Sequence, residues 1–162
     1  NILGGADWGE KRIVTDIINH MFLRKKLYIR QPLSTRPWIH VYEVCNYIIK
    51  LIQNNKKIKS KFSAWNIGPN KSQVRSVKWL TNEFFLLNKN NTHKINKKKK
   101  YFSEKKYLTL DKKKIIKFLG DSYLFDPKKR VELTYKWYEL FFKNRKELKK
   151  YIDKEIIKYI VN

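Results

Sequence analysis

The sequence predicts an α/β fold that is rich in helices and contains several short strands. Apolar residues recur every three or four positions in several segments, which is the spacing of amphipathic helices. Short apolar runs that end at Gly or Pro lie between these segments and predict strands. In a chain of 162 residues, a hydrophobic fraction of 42% is enough to form a core. Because no repeat or linker interrupts the pattern, residues 1–162 are expected to form one unit.

The first 41 residues predict short strands around one helix. The stretch NILGGADW (1–8) has the pattern of a strand end that runs into a Gly-Gly turn. Because this stretch has no Met and no beginning of the strand, we expect the chain to be a fragment. A helix is predicted over 10–25, and short strands over 26–32 and 36–41. The apolar face of the helix consists of Ile13, Ile17, Ile18, Met21 and Phe22.

The middle of the sequence predicts two further helices separated by a strand. Residues 41–54 and 74–87 have helical spacing, and FSAWNIGP (62–69) is predicted to be a strand followed by a Gly-Pro turn. The predicted apolar face of the first of these helices consists of Val41, Val44, Cys45, Ile48, Ile49 and Ile52. The predicted face of the second consists of Val77, Leu80, Phe84 and Leu87.

The last third predicts a short extended segment and three helical stretches. The extended segment is KYLTLD (106–111), and the helix after it is closed by Gly120 as its C-cap. Asp126 and Pro127 predict the start of a long helix, because Asp accepts hydrogen bonds at an N-cap and Pro fits the first helical position. The tail, residues 143–162, is predicted to be a basic helix.

The chain is strongly basic, with 38 Lys and Arg residues against 14 Asp and Glu residues and a net charge of +24. Such a charge is typical of proteins that bind nucleic acids. A compositional bias toward Lys, Asn and Ile explains the charge without any partner, and runs such as 88–100 are typical of exposed loops. We attribute most of the charge to composition and keep a basic nucleic-acid-binding module as a rival hypothesis.

Arginine is scarce in this lysine-rich chain, so its positions are informative. Arg12, Arg30 and Arg36 all lie within the first 40 residues. Unlike lysine, arginine has a planar guanidinium that binds phosphate or carboxylate through paired hydrogen bonds. The pattern indicates that the geometry of an anion contact matters in this region.

The sequence lacks the features of several other protein classes. It has no glycine-rich dinucleotide motif, no P-loop, no His-Glu-x-x-His and no Gly-x-Ser-x-Gly. The Tyr-x-x-x-Lys match of Tyr101 with Lys105 is expected by chance in so lysine-rich a chain. The single cysteine, Cys45, excludes an intrachain disulfide and is expected in the core. No stretch approaches the roughly 20 apolar residues of a membrane span, so a cytoplasmic location is expected.

Five short motifs occur in an order that carries a family resemblance. They are Gly-Gly-x-Asp-Trp (4–8), Ile-Arg-x-Pro (29–32), Arg-Pro-Trp-x-His-Val (36–41), Trp-Asn-x-Gly-Pro (65–69) and Glu-x-x-Tyr-Leu-x-Leu-Asp (104–111). Over residues 1 to about 142 the sequence resembles the C-terminal, substrate-binding half of the extended short-chain dehydrogenase/reductases, which have a Rossmann-type fold. Within the NAD-dependent epimerase/dehydratase family, the first and third motifs resemble the branch that acts on CDP-glucose.

The resemblance implies which residues of this chain bind a nucleotide sugar. The loop at 4–8 would close over the nucleotide, while Asn1, Arg12 and Arg36 would contact its pyrophosphate. His40 would orient its strand or contact the ribose. The complete implied set is Asn1, Gly4, Gly5, Asp7, Trp8, Arg12, Arg36, His40, Glu104 and Tyr107, the last two near the cytidine.

Four positions depart from the family pattern. Ala6 stands where a third glycine is common, and Gln31 stands in place of Asn. Ser103 replaces the His before the Glu of the last motif, and Asp121 replaces the Trp that usually follows Leu-Gly.

The resemblance also implies an activity for a full-length enzyme. Such an enzyme would convert CDP-glucose to CDP-4-dehydro-6-deoxyglucose by eliminating water, with NAD as an internal redox partner. The product would serve deoxysugar synthesis for surface polysaccharide such as O-antigen. The N-terminal half, missing from this chain, would hold most of the NAD site and the catalytic residues. We therefore expect no catalytic residue and no metal ligand in this chain, and the fragment alone is expected to be inactive.

Two further implications concern partners and alternatives. Family members are implied to be homodimers, and neither a membrane nor a nucleic acid is expected as a partner. The main alternative is another NAD-dependent epimerase or dehydratase that acts on a dTDP-, UDP- or GDP-sugar. The rival from a different class is the basic nucleic-acid-binding module.

Overall fold

A computed structural model describes residues 1–58, 62–88, 95–96, 105–121 and 124–161. The helices within these ranges are α1 (Ile13–Leu23), α2 (Val41–Gln53), α3 (Val77–Leu87), α4 (Lys113–Leu119), α5 (Pro127–Lys143) and α6 (Arg145–Ile156). A π-helical turn over Ile157–Val161 continues α6, and two short 3-10 turns cover Asn55–Lys57 and Lys71–Gln73. The predicted helices are therefore present. None of those in the described part of the chain has the length and apolarity needed to span a membrane.

The strands of the described residues are short and form three separate pairs. They are β1 (Ile2–Leu3), β2 (Leu27–Tyr28), β3 (Thr35–Arg36), β4 (Ile39–His40), β5 (Arg75–Ser76) and β6 (Ile95–Asn96). β1 pairs in parallel with β4, and β2 pairs in parallel with β6. β3 pairs antiparallel with β5. β2 and β4 fall within the two segments, 26–32 and 36–41, in which short strands were predicted, and β3 overlaps the second segment at Arg36.

The strand predicted over 62–69 is wrong, and the extended segment predicted over 106–111 does not become a regular strand. Residues 62–69 contain no strand, and at 106–111 the backbone forms only an isolated bridge between Tyr107 and Thr35. The first segment packs instead against α4 through polar contacts, in which Lys114 Nζ donates to the Ala64 carbonyl at 2.8 Å. The Ala64 carbonyl is thus bound by a side chain and not by a neighbouring strand.

The hydrophobic core lies between α1, α3 and α5 and is closed by β1 and β2. Its buried side chains are Leu3, Val14, Ile17, Ile18, Met21, Leu27, Ile29, Trp38, Val77, Leu80, Phe84, Val131, Tyr135 and Tyr138. Ile13 and Phe22 are partly buried and pack against this cluster. The predicted apolar faces of α1 and α3 are thereby confirmed, because a face with helical spacing is buried where a neighbouring helix packs on it.

The predicted face of α2 is wrong. Its buried residues are Glu43 and Tyr47, whereas Ile48 and Ile52 are 45% and 63% exposed and Cys45 is half-buried. The helix is turned in this way because Glu43 reaches a buried cation on α5. The ion pair between α2 and α5, and not the apolar pattern of α2, therefore determines which face of α2 is buried.

The cation that Glu43 meets is Arg130, and both side chains are almost completely buried. Arg130 Nε donates to Glu43 Oε2 at 2.7 Å, and Nη2 donates to Oε1 at 2.9 Å. Arg130 Nη2 also donates to Gln73 Oε1 at 3.1 Å. The backbone N–H groups of His40, Leu124 and Phe125 donate to the same carboxylate at 2.9, 3.2 and 3.4 Å. The pair joins β4, α2, α5 and the 3-10 turn before β5.

Local signals for helix ends are confirmed at α4 and α5. Asp126 Oδ1 accepts hydrogen bonds from the N–H groups of Lys128 and Lys129, at 2.8 and 3.0 Å. Gly120 follows α4 with a φ of +79°, and its N–H donates to the Ile116 carbonyl at 2.8 Å. Side-chain oxygens at N-caps and glycines after C-termini act through neighbours in sequence, so both ends were predictable.

Replacing Glu43 tests how much the fold depends on the buried pair. Glu43→Gln leaves the Arg130 charge buried without its counter-ion, so the free energy of unfolding should fall by about 3–5 kcal/mol in urea denaturation. The matched control is Glu132→Gln, which removes the carboxylate from an exposed pair with Lys129. That change should cost less than about 1 kcal/mol. Equal losses in the two variants would contradict a special role for the buried pair.

Candidate ligand-binding cleft

An open cleft of about 690 Å³ lies beside β1, the start of α1 and the end of β2. Four segments contribute to it: residues 1–7, residues 11–16, residues 28–31, and a group around β3 and β4. Its lining includes Asn1, Gly4, Gly5, Ala6, Asp7, Lys11, Arg12, Asp16, Arg30 and Arg36. β1 and β4 run in parallel, so their following segments, the loop at 4–8 and α2, begin at the same edge. Gly4 and Val41 accordingly lie against each other, and both line the cleft.

The cleft carries more positive than negative charge. Its cations are Lys11, Arg12, Arg30 and Arg36, and its carboxylates are Asp7 and Asp16. With all six groups ionised, four positive charges face two negative ones, which gives a net charge of +2. An open cleft with this balance attracts anions.

Two of the arginines are held by specific contacts. Arg12 Nη1 donates to Asp7 Oδ2 at 2.9 Å, although its side chain is 65% exposed. Arg36 Nη1 donates to the carbonyls of Thr35 and Lys105, both at 2.9 Å. Asp7 is itself fixed, because its Oδ1 accepts from the Gly9 N–H at 3.0 Å. These contacts restrict where each guanidinium can lie.

The peptide groups of Asp7 are bound from two helices. Tyr138 Oη donates to the Asp7 carbonyl at 2.9 Å and accepts from the Asp7 N–H at 3.1 Å. Thr15 Oγ1 donates to the same carbonyl at 3.0 Å. Burial raises the pKa of Tyr138 to about 12, so its hydroxyl keeps the proton that it donates. The loop is thus attached to α5 and α1.

Gly5 is required by the packing of Trp137. A Cβ at Gly5 would overlap the Trp137 ring, which lies directly on the backbone there. Trp137 belongs to an aromatic cluster with Trp8, Tyr138, Phe141 and Phe142. Trp8 is 44% exposed and does not line the cleft. The Gly-Gly-x-Asp-Trp motif therefore contributes Asp7 to the cleft and Trp8 to the packing of the loop against α5.

Ala6 has a left-handed backbone, with a φ of +62°. It occupies the position at which the resembling family commonly has a third glycine. An L-residue with a Cβ adopts this conformation at a cost of about 1–2 kcal/mol, whereas glycine adopts it without that cost. The turn of the loop is therefore compatible with the family pattern and is strained in this chain.

His40 is buried and has a structural role at the start of α2. Its Nδ1 accepts from the Tyr42 N–H at 3.3 Å, and its own N–H donates to Glu43 Oε2. Its ring contacts Tyr42 and Phe125. Burial first, and then the charge of Arg130, lowers the pKa of His40 to about 3, so the ring is neutral at pH 7. The contacts place His40 as the N-cap of α2.

The predicted site residues divide into three groups. The cleft is lined by Asn1, Gly4, Gly5, Asp7, Arg12 and Arg36, whereas Trp8 and His40 lie outside it. Tyr107 is 68% exposed and forms the bridge with Thr35, also outside the cleft. Glu104 lies outside the described residues. In the described part of the chain, no group of three or more His, Cys, Asp or Glu side chains could hold a metal ion.

Sequence reasoning missed two cleft residues and left a third without a role. Lys11 was hidden among 38 basic residues, and Asp16 was one acidic residue on a predicted helix. Arg30 stood out as an arginine in a lysine-rich chain, but no contact could be assigned to it. Nothing in the sequence distinguishes Lys11 from the other lysines. Its distinctive feature is a left-handed backbone with a φ of +59°, which only the structure shows.

Comparison with known proteins finds similarity both in sequence and in fold. The chain is 33% identical over 88 residues to CDP-glucose 4,6-dehydratase of Salmonella typhimurium (strain LT2), and the match covers 54% of this chain and 24% of that protein. The structure of dTDP-glucose 4,6-dehydratase of Bacillus anthracis (strain Ames), solved in complex with NAD, matches with a TM-score of 0.69 and 18% identity. That match covers 93% of this chain and 45% of the solved one. No family model matches the chain.

The chain is similar in sequence to one nucleotide-sugar 4,6-dehydratase and similar in fold to another. The resemblance carried by the motifs and the fold class that they imply are both confirmed. The chain spans about a quarter of the length of its dehydratase relative in sequence and under half of the relative in fold.

Replacing Ala6 tests the strained turn of the dehydratase-like loop. Ala6→Gly should raise the free energy of unfolding by about 0.5–1 kcal/mol, since relief of the left-handed strain exceeds the entropy that glycine adds to the unfolded chain. Ala64 is the matched control, because its φ is not in the left-handed region. Ala64→Gly should lower the stability by about 0.4–1 kcal/mol. Losses in both variants, measured by urea denaturation, would show that the turn at Ala6 is not strained.

The buried His40 predicts a pH dependence of stability. Its pKa of about 3 in the folded chain lies below the ordinary value of 6.5. Protonation therefore favours the unfolded chain, and stability present above pH 6.5 is lost as the pH falls from 6.5 toward 3. One group contributes a slope of about 1.4 kcal/mol per pH unit in this window.

The variant His40→Asn separates this slope from the general effect of acid. Asparagine can still accept a hydrogen bond at the N-cap but does not titrate. Urea denaturation at pH 7.5, 6 and 5 should give a pH dependence shallower by about 1.4 kcal/mol per unit below pH 6. Parallel curves for the variant and the parent protein would contradict burial of a neutral His40.

Proposed function

We propose that the chain is the nucleotide-sugar-binding part of a 4,6-dehydratase that acts on CDP-glucose. The observation that carries the proposal is the cleft beside the loop at 4–8, which brings together Arg12, Arg30, Arg36 and Lys11. The whole protein would eliminate water from the glucosyl unit of CDP-glucose to give CDP-4-dehydro-6-deoxyglucose. This chain would supply the binding site for the diphosphate.

The charge of the cleft supports a diphosphate as the bound group. A nucleotide-sugar pyrophosphate carries two negative charges, which matches the net +2 of the lining side chains. Guanidinium groups bind phosphate oxygens in a fixed direction, and three of the four cations are arginines. Arg12 and Arg36 are held by neighbouring oxygen atoms, so their direction is set before a ligand arrives. Preorganisation of this kind strengthens binding.

The choice of CDP-glucose rests on sequence. The relative with 33% identity is a CDP-glucose 4,6-dehydratase, and the two motifs typical of that branch are present at 4–8 and 36–41. The relative in fold acts on dTDP-glucose, which keeps a dTDP-sugar as the second candidate. The nucleic-acid hypothesis has only the net charge and the aromatic content of 15% in its support.

We infer that the described residues of this chain do not form a dinucleotide site of their own. The sequence has no glycine-rich dinucleotide motif, and the space above Gly5 is filled by the Trp137 ring. In our proposal, NAD and the catalytic residues belong to a part of the protein outside this chain. The role of this chain is to bind and orient the nucleotide sugar.

Titration calorimetry of the full-length protein with CDP, dTDP, UDP and GDP tests the proposal. We expect the lowest dissociation constant for CDP. Tighter binding of dTDP would favour the second candidate, and binding of none of the four would overturn the dehydratase proposal.

In the same protein, Arg36→Lys should raise the dissociation constant for CDP about tenfold, because a lysine keeps the charge and loses the paired geometry.

Arg145 provides the matched control for this substitution. Its guanidinium lies over the Phe141 ring, 4.4 Å from the ring centre, and it does not line the cleft. Arg145→Lys should leave CDP binding unchanged. Equal losses for the two variants would show that Arg36 has no specific contact with the ligand.

A further inference from the structure

We propose that Arg30 is a positioning residue, which fixes the backbone at Lys11 and thereby sets the direction of Arg12 toward the bound diphosphate. This inference rests on the proposed function for its ligand. It goes beyond that function because it assigns Arg30 a role through another arginine. The role does not require Arg30 itself to touch the ligand.

The contact that carries the inference links two distant segments. Arg30 Nη2 donates to the Lys11 carbonyl at 3.1 Å, across 19 residues of sequence. Arg30 follows β2, whereas Lys11 precedes α1, and both line the cleft. The guanidinium therefore joins the end of β2 to the turn that leads into α1.

The backbone at Lys11 has an uncommon conformation that needs such support. Its φ of +59° lies in the left-handed region, which costs a residue with a side chain of order 1–3 kcal/mol. Arg12 follows with an extended backbone, φ −101° and ψ 130°, as the N-cap of α1. The change from left-handed to extended backbone between these two residues sets the direction in which the Arg12 side chain leaves the chain.

Among the described residues, no side chain caps the start of α1. The Arg12 side chain makes no capping hydrogen bond to α1, and its guanidinium is bound to Asp7 instead. The Arg12 carbonyl accepts the Asp16 N–H at 2.9 Å, which is the first hydrogen bond of the helix. A hydrogen bond from Arg30 to the preceding carbonyl thus stabilises a turn that lacks a side-chain cap.

Electrostatics in the first turn of α1 agree with this role. Asp16 lines the cleft, and partial burial raises its pKa. The charge of Arg30 acts in the opposite direction and lowers that pKa. Arg30 therefore favours the ionised form of Asp16 while it holds the Lys11 carbonyl.

A double-mutant cycle in the full-length protein tests whether Arg30 acts through Arg12. Calorimetric dissociation constants for CDP are compared among the parent, Arg30→Lys, Arg12→Ala and the double variant. Arg30→Lys should weaken binding about tenfold when Arg12 is present and less than about twofold when Arg12 is absent. Equal losses in both backgrounds, or no loss in either, would overturn the inference.

A second measurement requires no ligand and separates this inference from the proposed function. Hydrogen–deuterium exchange of residues 10–16 should be faster in Arg30→Lys, because the Lys11 carbonyl loses its donor. The matched control is Arg24→Lys, since Arg24 also lies near a left-handed turn but outside the cleft. Unchanged exchange in Arg30→Lys would overturn the positioning role, even for a protein that binds none of the nucleotides.

Discussion

The buried ion pair between Glu43 and Arg130 is the interaction on which the rest of the structure depends. Two charges without contact with water are stable only when their hydrogen bonds are satisfied within the protein. Glu43 meets this condition, since it accepts from Arg130 and from the N–H groups of His40, Leu124 and Phe125. Arg130 meets it less completely, because its Nη1 finds no acceptor among the described residues.

The pair reaches the cleft through β4. His40 ends β4 and caps α2, and its N–H is one of the donors to Glu43. β4 in turn pairs with β1, from which the loop at 4–8 leaves. The same helix that carries Arg130 also carries Tyr138 and Trp137, which bind and cover that loop. One helix, α5, therefore fixes both the strand pair below the cleft and the loop at its edge.

A feature could be predicted from the sequence when the contacts that produce it join residues that are close along the chain. The cap of α5 by Asp126 and the buried face of α1 depend on neighbours within one or two helical turns, and the sequence predicted both. The orientation of α2 depends on a partner 87 residues away, and its predicted apolar face was wrong for that reason. Within the site, the motifs located the loop and Arg36, but the roles of Lys11 and Arg30 depend on a contact that no local pattern contains.

The distribution of acidic residues helps to explain why arginine side chains of the cleft have fixed orientations. The chain has only 14 acidic residues, and exposed ones such as Glu132 and Glu147 pair with lysines three positions away on their own helix. Asp7 and Glu43 instead bind arginines. A lysine surplus on the surface produces a diffuse potential, whereas guanidinium groups held by carboxylates or carbonyls keep a fixed orientation. The cleft thus contains oriented donors, which the proposed binding of a diphosphate requires and which net charge alone does not provide.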